Sequence, residues 1–166
     1  MIKLIKSTFY KERDAKKKLN AFITSAHQLS FGPECQKFEK KFAAYQGRSH
    51  CIFFNSGSSA NLALIQALKN MERLKTNDRV AFSALTWATN VMPLIQLGLR
   101  PIPVDVELDT LNISSKTLGK IPQQPRAVFI THLLGFCDDI DTIAKMCKQK
   151  NIILLEDTCE ALGTVY

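Results

Sequence analysis

Three short stretches of this chain carry residue types whose spacing could do chemistry. The first is Asn55-Ser56-Gly57-Ser58-Ser59-Ala60-Asn61, which follows an apolar run. Its small residues let the backbone approach a ligand closely, its hydroxyls add donors, and the free N–H groups of a helix start favour an anion. It is neither a Walker loop nor a G-x-G-x-x-G turn, and Ser56 serves equally well as a plain helix N-cap. The second is Ala84-Leu85-Thr86-Trp87-Ala88-Thr89-Asn90, with the single tryptophan of the sequence. An indole there can lie against a flat ligand or pack into a core. The third is Glu156-Asp157-Thr158-Cys159-Glu160-Ala161-Leu162-Gly163. An acid leaving the apolar run Ile152–Leu155 needs a partner, because an unpaired buried carboxylate is costly. That partner is either a turn or helix cap, or a protonated ring nitrogen.

The elements that must hold these stretches alternate in type. Residues 11–28 read as a basic helix, and 33–46 as a second helix with Cys35, Phe38, Phe42 and Tyr45 on one stripe. Pro33 suits its first turn and Gly47 its end. Five apolar runs look like buried strands: Cys51–Phe54, Val80–Phe82, Pro101–Val106, Ala127–Ile130 and Ile152–Leu155. Helical patterns at Ser59–Leu68, Thr89–Leu97 and Ile140–Lys150 separate most of them. Such alternation predicts an α/β fold: three layers, a parallel sheet with helices on both faces. In such sheets ligands gather at the carboxyl ends of the strands. All three stretches fall at strand ends. Together they offer an anion cup, a flat aromatic ring and an acid, the handles that suit the phosphate, ring face and ring nitrogen of pyridoxal 5′-phosphate. A carboxylate against that nitrogen keeps the ring an electron sink.

Composition narrows the class. With 46% hydrophobic and 22% charged residues among 166, the chain reads as one ordinary globular protein with a real core. No apolar run approaches the ~20 residues that span a bilayer, and the apolar run in Met1–Lys6 is too short for a signal peptide. The reading is a cytoplasmic chain without a membrane partner. The net charge of +7 collects at Lys11, Arg13, Lys16, Lys17, Lys18, Lys37, Lys40 and Lys41. No nucleic-acid motif accompanies these residues, and solvated helix faces account for them. The five cysteines, Cys35, Cys51, Cys137, Cys147 and Cys159, form no C-x-x-C pair. They read as reduced thiols, mostly small core residues.

From Phe31 to Tyr166 the sequence resembles the DegT/DnrJ/StrS family of sugar aminotransferases and dehydratases. The resemblance runs through Phe31-Gly32-Pro33-Glu34, Phe38–Ala43, Ser56–Ala60, Leu85–Thr89, Pro101–Asp105, His132–Gly135, Glu156-Asp157 and Ala161–Gly163. It implies the N-terminal part of a pyridoxal-phosphate transferase large domain over 31–166, preceded by a helical segment over 1–30. It implies that Gly57, Ser58 and Ser59 hold the cofactor phosphate, that Trp87 stacks on the ring and that Asp157 meets the ring nitrogen. Glu160 joins this cofactor set, at a position where family aminotransferases usually carry His or Gln. The subgroup most similar removes the 3-hydroxyl of a CDP-linked 4-keto-6-deoxyhexose. It uses the pyridoxamine 5′-phosphate form of the cofactor and an iron–sulphur cluster, a [2Fe-2S] centre in the whole enzyme. Cys159 matches a cluster ligand by resemblance, and a small buried thiol is the alternative. The catalytic lysine or histidine is expected past Tyr166, so the chain alone is expected to bind cofactor poorly and to turn nothing over. Other readings are a nucleotide-sugar aminotransferase fragment and a non-catalytic binding or regulatory remnant. The resemblance also implies a homodimer acting on a nucleotide-linked keto-sugar in deoxysugar or lipopolysaccharide O-antigen biosynthesis. The family's sheet order, 3-2-4-5-6-7-1, leaves Cys51–Phe54 either without its usual partner or paired with the fifth strand.

Overall fold

The computed structural model describes residues 9–165, which fall into two compact units divided between Phe53 and Phe54. The first unit holds α1 (Glu12–Ser25) and α2 (Pro33–Tyr45). α1 is shorter than its sequence pattern, because Ala26 turns extended and its amide closes on the Phe22 carbonyl. α2 starts with Pro33 after Gly32, and the chain leaves it through Gly47 at φ 62°. The expected stripe is real. The ring centroids of Phe38 and Phe42 lie 5.5 Å apart, those of Phe42 and Tyr45 6.1 Å, and Phe53 meets Phe38 edge-on at 5.3 Å.

The predicted strand Cys51–Phe54 is not a strand: these residues are irregular and join no ladder. Of the two outcomes expected for the segment, it takes the unpaired one. An extended backbone without a ladder must place its amides elsewhere, and the Phe53 N–H donates to Glu39 Oε1 at 2.8 Å.

The second unit holds α3 (Gly57–Asn70), β1 (Arg79–Ser83), α4 (Ala88–Gln96), β2 (Arg100–Val104), α5 (Ser115–Gly119), β3 (Ala127–Thr131), α6 (Ile140–Gln149) and β4 (Ile153–Asp157). The four strands form one parallel sheet in the order β2-β1-β3-β4. These are the third, second, fourth and fifth of the predicted strands, in the expected order. Alternation along the strands builds two cores. Val80, Ala127, Phe129 and Leu155 point to one face, where Ile65 and Leu68 of α3 and Leu94 of α4 cover them. Ala81, Val104, Val128 and Ile130 point to the other, against Leu118 of α5 and Ile140, Ile143 and Cys147 of α6. β1 and β3 lie inside the sheet and are the most buried. β2 carries Pro101 and Pro103 and sits at an edge, where the lost N–H groups need no ladder partner.

α5 escaped the sequence reading because it is short and has little apolar period. What forms it is a capping box. Ser114 Oγ accepts from the Thr117 N–H, and Thr117 Oγ1 accepts from the Ser114 N–H. Asp139, just before α6, ties this turn in by accepting from both the N–H and the hydroxyl of Ser115. Burial pushes the Asp139 carboxyl up, but the bonds from Ser115 outweigh it and hold the group below the usual carboxylate range. Its folded pKa is therefore lower than its unfolded one, so the stability it contributes is present above the unfolded value of about 3.9 and is lost as pH falls through the depressed one. Asp139→Asn should flatten the fall in stability below about pH 4, measured as urea midpoints between pH 2 and 7.

Candidate functional site at the strand ends

The carboxyl edge of the sheet is where β1, β3 and β4 release their loops. Ser83 and Thr131 end their strands with hydroxyls after apolar runs. The Thr131 N–H donates to Ser83 Oγ at 3.2 Å, and the Thr131 and Thr86 hydroxyls lie 2.5 Å apart. Asn90 of α4 donates through Nδ2 to Thr131 Oγ1 at 2.9 Å and accepts at Oδ1 from Asn61 Nδ2 of α3, also at 2.9 Å. Both Ser83 and Asn90 are 1% exposed. A buried amide is tolerated only when its polar atoms are satisfied, and here both ends of Asn90 are used. Asp157 is the ladder partner of Thr131. One polar thread thus runs from α3, through α4, to the strand pair that ends in Asp157.

A second set of bonds shapes the loop after β4. The turn 132–135 follows β3, with Leu134 at φ 55° and Gly135 at φ 80°. A Cβ on Gly135 would meet Thr164 Oγ1 at 3.2 Å and the Glu160 carbonyl at 3.3 Å, so the glycine permits this close approach. His132, 3% exposed, places Nε2 2.8 Å from Glu156 Oε2, and its backbone N–H donates to the Asp157 carbonyl. The Leu134 N–H donates to Glu160 Oε2 at 2.8 Å, and Thr164 Oγ1 donates to the Gly135 carbonyl at 3.1 Å.

The residues singled out in the sequence all lie at this edge. Gly57 opens α3, and a Cβ there would meet nothing within 4 Å, so a ligand can reach the backbone. Ser56 is the N-cap, its Oγ accepting from the Ser59 N–H at 3.2 Å. Cap and anion cup share one helix end, because the first helical amides have no intrahelical acceptor. Ser58 and Ser59 line a cleft of about 350 Å³ with Leu62, Ala88, Thr89 and Met92. Trp87 precedes α4 and is 76% exposed, so core packing is not its role here. Asp157 is half-buried, and its Oδ1 accepts from the Cys159 N–H at 3.0 Å. Cys159 is exposed rather than a buried core thiol, and among the described residues no group of three metal-ligating side chains gathers. Glu160 is exposed, with one carboxylate oxygen taken by Leu134. Trp87 and Asp157 lie outside the lining of the cleft.

Asn90 and Thr131 were not legible as a pair. The available signal was a polar residue closing an apolar strand, at Ser83 and Thr131. The buried pairing of His132 with Glu156 gives this histidine a structural contact.

A parallel sheet covered by helices on both faces is the fold of the pyridoxal-phosphate-dependent sugar aminotransferases and dehydratases. Residues 10–166 match the DegT/DnrJ/EryC1/StrS aminotransferase family, and the chain belongs to it. It is similar to a GDP-4-keto-6-deoxy-D-mannose 3-dehydratase of Yersinia pseudotuberculosis, 37% identical over 89% of this chain and 39% of the relative. It is also similar to the lipopolysaccharide biosynthesis protein RfbH of Salmonella typhimurium, 39% identical over 83% of this chain and 33% of the relative. Among solved structures, a GDP-4-keto-6-deoxymannose 3-dehydratase with a trapped PLP–glutamate geminal diamine superposes with a TM-score of 0.90. Identity there is 32%, covering all of this chain and 43% of the other. The chain thus spans between a third and somewhat over two fifths of the length of these relatives.

Glu160 tests the loop geometry. Glu160→Ala should speed hydrogen exchange at the Leu134 amide, whereas Glu160→Gln, which keeps an acceptor, should leave it near the wild-type rate.

Proposed function

We propose that this chain builds the cofactor half of a nucleotide-sugar enzyme, most like a 3-dehydratase of 4-keto-6-deoxyhexoses. What supports this reading is the thread that ties α3, whose start is open, and α4, which Trp87 precedes, to the strand pair ending in Asp157, through Asn90 and Thr131. The residues fit the cofactor. The amides of Gly57 and Ser58, with the Ser58 and Ser59 hydroxyls, would hold its phosphate. Trp87 would cover the ring, and Asp157 would keep the ring nitrogen protonated. Glu160 would stand beside Asp157 on the loop it helps to brace. When bound, the cofactor, as pyridoxal or pyridoxamine 5′-phosphate, supplies an electron sink for cleaving bonds next to the sugar carbon it holds.

The substrate class, a nucleotide-linked keto-sugar of deoxysugar or lipopolysaccharide synthesis, is supported by what the relatives are named for. Relatives are named for both GDP- and dTDP-linked sugars, alongside the CDP sugar implied by the sequence resemblance. The catalytic lysine or histidine is assigned to the part of the relatives that this chain does not span. The iron–sulphur reading rests on Cys159 alone. It needs further ligands from outside the described residues, and iron analysis of the complete enzyme tests it. No described helix is long and apolar enough to cross a membrane, and the described cysteines are free. Both support a cytoplasmic setting. Leu85, Trp87, Met92 and Ile95 are exposed around α4, which supports cover by a second copy in a homodimer.

Trp87 reports on the site directly, being the single indole of the chain. Pyridoxamine 5′-phosphate, which has no aldehyde to react with lysines, should quench its fluorescence saturably, though weakly bound. Asp157→Asn should weaken that binding about tenfold, or about 1.4 kcal/mol. No quenching, or equal affinity in the variant, would refute the cofactor reading.

A further inference from the structure

We propose that Asn90 is a positioning residue that sets the separation between the phosphate end and the ring-nitrogen end of the cofactor site. This rests on the cofactor reading above. Joining two half-sites into one gains affinity only when their spacing matches the ligand. In this fold the two ends lie on different elements, α3 and β4.

The hold on α3 is uneven. Its buried apolar anchors, Ile65 and Leu68, lie two to three turns along the helix, and its exposed start lies beyond them. Asn61, in the second turn, is the polar tie nearest the start. Its Nδ2 donates to Asn90 Oδ1 at 2.9 Å and reaches the Thr89 carbonyl at 3.4 Å. That carbonyl is open for a reason in the sequence. Pro93 sits inside α4 four residues on, has no N–H, and so leaves the Thr89 oxygen without its helical donor.

The Asn90 side chain both accepts and donates in this thread. Its oxygen takes Asn61, and its NH₂ gives to Thr131 Oγ1, whose residue pairs in the ladder with Asp157. At 1% exposure its amide has no freedom to turn away. A hydrophobic side chain would supply neither bond, and a carboxylate would lose the donor. The proline, the two asparagines and the threonine therefore act as a spacer between the helix start and the acid.

The test separates spacing from folding by using the ligand whole and in halves. The probes are pyridoxamine 5′-phosphate, pyridoxamine without phosphate, and inorganic phosphate. Binding is read by Trp87 quenching, with phosphate measured by competition. The variants are Asn90→Ala and Asn61→Ala, each checked for wild-type far-ultraviolet circular dichroism. Both should lose fivefold or more in affinity for the whole ligand while changing less than twofold for each half. Because Asn61 is partly exposed, its variant carries the test if Asn90→Ala fails to fold. A folded variant that binds the whole ligand like wild type overturns the inference and leaves the cofactor reading standing. Proportional weakening for all three probes also overturns it, since that marks general loosening. Wild type that binds none of them removes the site, and the spacer with it.

Discussion

The order of the sheet's carboxyl edge depends on directional bonds, and the buried amide of Asn90 makes two of them. A parallel sheet delivers its loops to one edge but does not fix their distances from one another. The helices that carry the loops rest on apolar packing, which is strong but poorly directional. Directional bonds must supply the rest. In this chain they run from Asn61 through Asn90 to Thr131, with Ser83 and Thr86 closing the strand end. The thread links the helix that the serine turn opens to the strand pair that ends in Asp157.

The second organising feature is the brace between the turns after β3 and β4. His132, Leu134 and Gly135 bond to Glu156, Asp157, Glu160 and Thr164. The loop is exposed and makes little apolar contact, so these bonds give Asp157 its setting. Glu160 is thereby a brace as well as a member of the candidate cofactor set. This brings together two roles that the sequence could not separate.

Much of the fold was legible because period and burial agree. The four strands that pair are continuous apolar runs, and Ile140, Ile143 and Cys147 mark the face α6 buries. The exceptions have physical causes. Cys51–Phe54 has strand composition, but composition cannot supply a ladder partner, and Glu39 and Phe38 engage Phe53 instead. α5 is held by a capping box rather than by an apolar stripe. Within the site, the small-residue turn, the lone indole and the acid could be read from residue type. The Asn90 bridge could not, because an asparagine pairing with residues 29 and 41 positions away leaves no local period.

The proposed cofactor site requires three loops on one sheet edge to grip one ligand. An amide-resolved NMR titration of this chain with pyridoxamine 5′-phosphate tests it most directly. Gly57, Ser58 and Ser59, the Trp87 indole N–H, and Asp157 should shift together with one dissociation constant. Shifts confined to a single loop, or lying between Glu12 and Tyr45 instead, would contradict it.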